Sequence, residues 1–350
     1  MINDTAATKK MQEIDSLKSN DTDHPERTSQ NTKSEGFVDK EKEKENKLAK
    51  NLNKLRVKKL DSLKVTKYAK NHVSPNTHER MCKCGNIVTF LLDETREKVK
   101  VEKAEVCTGR FCPICQATKA KKDVLKISAV MDAIEELEGK AFIFVTLTAP
   151  NVPGEDLAKE INKYNKAFRY LMQDVPAVAK INKGYLRKLE VTYNKDRDDY
   201  HPHFHVVMAV ESYYFKSRDY MRREKWLELW KSAMKDKRIT QVDVKKAYRS
   251  DSGTGAFEIS KYVAKSCDYG SSQNVFDVFY TALKGRQMLV ANGLFKQYFK
   301  KHKEGALAKY DAKDETYYKY LAVYHWIFKK NHYEQVIFEE RERETGVHTE

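Results

Sequence analysis

The stretch DDYHPHFHVVMAVE, Asp198–Glu211, places three histidines at alternate positions, His201, His203 and His205, ahead of an apolar run from Val206 to Val210. Only 10 histidines occur in 350 residues, so three within five positions need a reason. On a β-strand, alternate side chains share a face. His203 and His205 therefore point one way, joined by His201 if the strand begins early enough. Phe204, Val206 and Met208 point the other way, into a core. Two imidazoles on one sheet face can hold a divalent ion, with a third ligand from a neighbouring strand. Glu190, in KLEVTYN, stands on the segment that reaches the histidines through the polar turn KDRDD, and the two segments read as a hairpin. Nitrogen and carboxylate ligands with open positions suit Mn²⁺ or Mg²⁺ in phosphoryl transfer, and zinc also accepts them. In isolation, alternating histidines are more often a surface or packing feature than a ligand set.

Working outward, AFIFVTLTAPN is apolar, β-branched and closed by Pro150, which marks a buried strand. GEDLAKEINKYNKAFRYLMQ is an amphipathic helix with Leu157, Ile161, Tyr164, Phe168 and Leu171 on one stripe. A helix around SRDYMRREKWLELWKSAMK, a strand ITQVDVKKA and a helix AFEISKYVAKS follow the histidines. Strand, helix, two strands, helix, strand and helix in that order imply an α+β fold. Its antiparallel sheet is expected to carry helices on one face. Residues 273–350, rich in aromatics and lysines, are expected to be helical.

Upstream, residues 80–122 form a cysteine-rich unit. NIVTFLLDETREKVKVEKAEV reads as two strands around DETRE, and a helix is expected near Lys121–Leu137. Cys82, Cys84, Cys107, Cys112 and Cys115 offer five thiols for four tetrahedral zinc positions. Cys84, Cys107, Cys112 and Cys115 are preferred, because Gly85 lets the chain turn closely around a metal after Cys84. A thioredoxin-like redox site lacks its βαβ context here. The sixth, Cys267, reads as an ordinary thiol.

Residues 1–35 carry few large apolar groups and are expected to be a disordered tail. Residues 36–79 read as a charged helical segment, with Leu48, Leu52, Leu55 and Leu60 as a sparse apolar face. The formal net charge of +15 points to a polyanionic partner, nucleic acid before membrane. No apolar run is long enough to cross a bilayer, and the N-terminus lacks a signal-peptide core, so a cytoplasmic location is expected.

The segment FEISKYVAK sets Glu258, Tyr262 and Lys265 at i, i+4 and i+7, one face of a helix. A tyrosine beside a carboxylate and a lysine is a candidate nucleophile with a base and a phosphate-stabilising cation. Without context, a packed tyrosine flanked by ion pairs is the better explanation of the pattern.

FVTLTAPN, HPHFH and EISKYVAK, in that order, resemble the replication initiator (Rep) proteins of small bacterial rolling-circle plasmids, members of the HUH endonuclease superfamily. So do the Cys-Gly, Cys and Cys-Pro-x-Cys pattern, LEVTYN and ALKGRQMLVANGLFK. The likeness runs from about Arg80 to Lys296. It implies the single-tyrosine branch, with a Glu-x-x-x-Tyr-x-x-Lys motif and an HUH-type nicking domain over 123–272.

By that resemblance His203 and His205 hold a divalent catalytic ion, with Glu190 or His201 as the third ligand. Tyr262 becomes joined to the 5′ phosphate of nicked origin DNA. Glu258 activates water at termination, and Lys265 matches the motif's lysine. The implied partners are plasmid origin DNA, single-stranded at the nick, and a host helicase, since no G-x-x-x-x-G-K-[ST] loop is present. Self-association stays open. An HUH transposase or relaxase, and a non-catalytic zinc-containing regulator, are the competing readings.

Overall fold

The computed structural model describes residues 35–247 and 268–341. Contacts divide the chain at Lys44, and the fold is that of the unit beginning there. In chain order come α1 (Glu35–Ala69), α2 (Pro75–Lys83), β1 (Ile87–Leu92), β2 (Val99–Ala104) and α3 (Pro113–Glu138). Next are β3 (Lys140–Thr148), α4 (Leu157–Gln173), α5 (Pro176–Ile181), β4 (Gly184–Asn194) and β5 (Asp199–Glu211). Then follow α6 (Arg223–Met234), β6 (Val242–Ala247), α7 (Gln273–Leu283), β7 (Leu289–Asn292) and α8 (Gly293–Lys303). The last elements are β8 (Tyr320–Ile327) and β9 (His332–Glu340). The helix AFEISKYVAKS and the tail up to residue 34 lie outside the described residues.

Two antiparallel sheets result. The larger has the order β6-β3-β5-β4-β7, with β5 at its centre. β4 and β5 form the expected hairpin, in which Asn194 Oδ1 accepts the amides of Asp196 and Arg197, and Asp198 takes φ 51°. Aspartate reaches that left-handed region more readily than most residues.

Both faces of this sheet are covered, which corrects the one-face expectation. Phe204, Val206, Met208 and Val210 pack with α4, α6 and α7, whose Tyr164, Phe168, Trp226, Trp230 and Phe276 are all buried. Val207 and Ala209, on the other face, pack with Phe142, Phe144 and Leu186 against Ile127, Val130 and Ile134 of α3 and Phe295 of α8. The physical reason is legible in VVMAV. A strand buried on both sides is a continuous apolar run, not an alternating one.

The smaller sheet has the order β2-β1-β8-β9. Val88, Phe90, Ala322, Tyr324 and Trp326 form its core, and Leu48, Leu52, Leu55 and Leu60 of α1 pack against it. The expectation of a helical C-terminal region therefore fails for residues 320–340. α7 and α8 are helices, but β8 and β9 are strands, and β8 pairs with β1. YLAVYHWI has the two-residue period of a half-buried strand, with Ala322, Tyr324 and Trp326 inward. Its abundance of aromatics does not imply a helix.

Candidate metal centres

The cysteine centre is assembled by three local devices. α3 starts at Pro113, earlier than expected, with Cys112 as its N-cap residue and Cys115 in its first turn. Proline suits that first position because its missing N–H is not needed there. The β1–β2 hairpin returns Cys107 to Cys84, whose sulfur accepts the Cys107 amide at 3.4 Å. Gly85 holds φ 71°, and a Cβ there would lie 2.5 Å from Ile114 Cδ1. The left-handed backbone favours glycine there.

Cys84, Cys107, Cys112 and Cys115 are all buried and mutually close. Cys84 Sγ lies 3.5 Å from Cys112 Sγ and 3.6 Å from Cys115 Sγ, and Cys107 Sγ lies 3.6 Å from Cys115 Sγ. Zinc–sulfur bonds of about 2.3 Å in a tetrahedron put sulfurs roughly 3.8 Å apart. The four cysteines thus fit one zinc ion. Without a cation, contacts with the other three sulfurs, Cys107 first, push the Cys84 thiol up. Cys82 stays outside the four, its sulfur 3.9 Å from His78 Nδ1.

Two α1 residues complete this centre. Lys59 is fully buried and donates to the Cys84 carbonyl at 2.6 Å and to Asn86 Oδ1 at 2.8 Å. Ser62 Oγ lies 3.4 Å from Cys112 Sγ. Four thiolates and one divalent ion leave net negative charge, which an adjacent ammonium offsets. Neither residue stands out in a helix dense with lysine.

The second centre lies on the larger sheet. The β4–β5 register sets Glu190 opposite His203. Glu190 Oε2 is 3.1 Å from His205 Nε2 and 3.5 Å from His203 Nε2, and all three side chains are buried. His201 is not drawn into this group. Its ring centroid is 5.2 Å from that of His203, and its backbone carbonyl takes the His203 Nδ1–H at 3.2 Å. That contact turns the His203 Nε2 toward Glu190. His205 Nδ1 lies 3.3 Å from Thr146 Oγ1, which turns its Nε2 inward as well.

Burial opposes ionisation of Glu190, but His203, His205 and Lys188 outweigh it and hold the carboxyl at about 2. Burial also pushes the His205 imidazole below its ordinary value, against the pull of Glu190. A carboxylate and neutral imidazoles are the ligand forms. Glu190 Oε1 is buried without a hydrogen-bond partner among the described residues. Three ligand atoms on one buried point beside an orphaned oxygen suit a divalent ion, so these residues fit one.

Glu258, Tyr262 and Lys265 lie outside the described residues. Three other tyrosines, Tyr193, Tyr200 and Tyr269, are rivals for the nucleophile's place. Tyr200 is buried, and burial raises its phenol to about 12. Tyr269 is buried too, and Tyr193 donates its hydroxyl to Asp198 at 2.9 Å. In LFKQYFKKH, Phe295 and Tyr298 are core residues rather than open stacking surfaces.

A family model described as replication protein matches residues 98–334. A protein rep of Staphylococcus aureus is 43% identical over 220 residues, covering 63% of this chain and 95% of that protein. A protein rep of Streptococcus pneumoniae is 33% identical over 229 residues, covering 63% of this chain and 70% of that one. One from Bacillus amyloliquefaciens is 30% identical over 270 residues, covering 68% and 78%. No solved structure matches the chain.

Proposed function

Since this chain belongs to the replication protein (Rep) family, we propose that it starts rolling-circle replication of a plasmid by nicking one strand of the origin. The fold is then an HUH-type nicking domain joined to a zinc-stabilised unit. One observation carries this reading: two imidazole nitrogens and a carboxylate converge on one buried point, and the second carboxylate oxygen has no hydrogen-bond partner among the described residues.

Each residue has a stated task. Glu190, His203 and His205 hold a divalent ion, Mn²⁺ or Mg²⁺, with Glu190 rather than His201 as third ligand. When bound, that ion supplies charge neutralisation at the scissile phosphate. Thr146 and the His201 carbonyl fix the two rings, since a ligand's other nitrogen sets its orientation. The Tyr262 oxygen attacks phosphorus in line, the phosphorus–O3′ bond breaks, and the 3′ oxygen leaves as the primer hydroxyl. The phosphotyrosine keeps the bond energy, so resealing needs no ATP. Glu258 takes a proton from water at termination, and Lys265 neutralises phosphate charge.

The test is incubation with Mn²⁺ and the supercoiled replicon that encodes the chain, followed by mass spectrometry of the adduct. Relaxed circles and DNA joined to Tyr262 are expected. Neither product from wild type would remove the enzymatic reading and leave a DNA-binding regulator. Mobile-element ends cut in preference to the origin would point to a transposase or relaxase. Glu258→Ala is expected to keep nicking and lose release.

A further inference from the structure

A cavity of about 450 Å³ lies between the cysteine segment and β4. Phe111, Gln116, Lys119 and Asp123 line it from the side of the cysteines, and Lys188 and Glu190 from the side of the histidines. The opening follows from the sheet register. β7 pairs with β4 as far as Lys188, and the Leu189 amide adds a bond to the Met288 carbonyl at 2.8 Å, so among the described residues no strand pairs with β4 at Glu190 on this edge. Asp123 and Leu289 also line a smaller cavity of about 160 Å³, in which Lys126 lies 4.9 Å from the Phe299 ring centroid.

Lys188 gives the cavity its chemistry. It is only 6% exposed, and its Nζ is buried without a hydrogen-bond partner among the described residues. An amine withdrawn from water and left without a hydrogen bond costs free energy, charged or not. An anionic ligand would satisfy it. The volume falls within the usual range for small ligands, about 300–1,000 Å³. A space of that size is on the scale of one nucleotide rather than a duplex. The polar groups around it suit both parts of a nucleotide: a cation for the phosphate, an amide and a carboxylate for base edges.

We propose that this cavity is the subsite for one unstacked nucleotide of the nicked strand, with Lys188 taking its phosphate and Gln116 and Asp123 reading its base. The proposal rests on the nicking reading. It makes the cysteine unit part of nick-site selection, because Gln116 and Asp123 stand on the helix whose first turn carries Cys112 and Cys115.

The probe is a single-stranded oligonucleotide spanning the mapped nick, with a series carrying one abasic position each. Binding is read by anisotropy with full-length Tyr262→Phe protein, so that nothing is cut. One abasic position beside the nick is expected to weaken binding about tenfold. Adding Met288→Trp, which fills the cavity wall, should abolish that sensitivity. Adding Lys188→Met should lower affinity about tenfold and reduce the salt slope by about one. Both should keep the parent's zinc content and circular dichroism. Parental affinity and an unchanged abasic profile in both would overturn the proposal. If either variant misfolds, Gln116→Ala and Asp123→Asn decide: altered base preference at that one position supports the subsite, and unaltered preference overturns it. An adduct from wild type with no effect of any variant sinks the subsite alone. A variant-sensitive profile without any adduct sinks the nicking reading alone.

Discussion

At the cysteine centre four sulfurs face one another, backbone amides and a serine hydroxyl approach three of them, and a buried lysine stands behind. At the histidine centre two nitrogens and one carboxylate meet, and one carboxylate oxygen has no hydrogen-bond partner among the described residues. The first arrangement is closed and the second is open. Closed four-ligand sites contribute folding energy, whereas three-ligand sites keep a position for chemistry. The contrast also appears in what surrounds them. The cysteines join pieces distant in sequence: α1, the β1–β2 hairpin and α3. The histidine centre sits on a sheet whose core is already filled on both faces, so its ligands are not needed to hold that sheet together.

Breaking the closed centre should therefore damage folding most. Cys112→Ser is expected to lose the zinc and about 5 kcal/mol or more of stability. Metal analysis and thermal melts would read this, and chelation of wild type should reproduce it. Lys59→Met should come next. It keeps the ion but leaves the Cys84 carbonyl and Asn86 without their donor, for about 2–3 kcal/mol in urea titration. An unchanged midpoint would mean that Lys59 does not support the centre.

Glu190→Gln inverts the pattern. Stability should change by less than about 1 kcal/mol, while the proposed Mn²⁺-dependent nicking should fall by about a hundredfold or more, since even outer partners of a ligand cost ten- to hundredfold. If Glu190→Gln unfolds the chain instead, the distinction between the two centres collapses. Cys82→Ser should have the smallest effect, within about 0.5 kcal/mol, with full zinc content. Loss of zinc in that variant would place Cys82 among the ligands.

Much of this architecture can be read along the chain. The helical stripe of Leu157, Ile161, Tyr164, Phe168 and Leu171 is buried throughout. The turn KDRDD does join β4 to β5. YLAVYHWI carries a clear two-residue period as well, but aromatic richness hides it. Lys59, Thr146 and Lys188 were invisible for a different reason. Each is an ordinary residue type in an ordinary position, and its role comes entirely from what lies across from it.

Local periodicity by itself determined that His203 and His205 share a face, because successive strand side chains must alternate. Cysteine spacing with Gly85 likewise favoured Cys84, Cys107, Cys112 and Cys115, because ligands and a tight turn must coexist around one ion. Only the tertiary structure placed Glu190 opposite His203, since pairing register is a relation between two strands and a slip of one residue turns every side chain to the other face. It alone laid β8 beside β1 and Lys59 behind Cys84. Those contacts close only when segments far apart in the chain meet, and no local pattern encodes such a meeting.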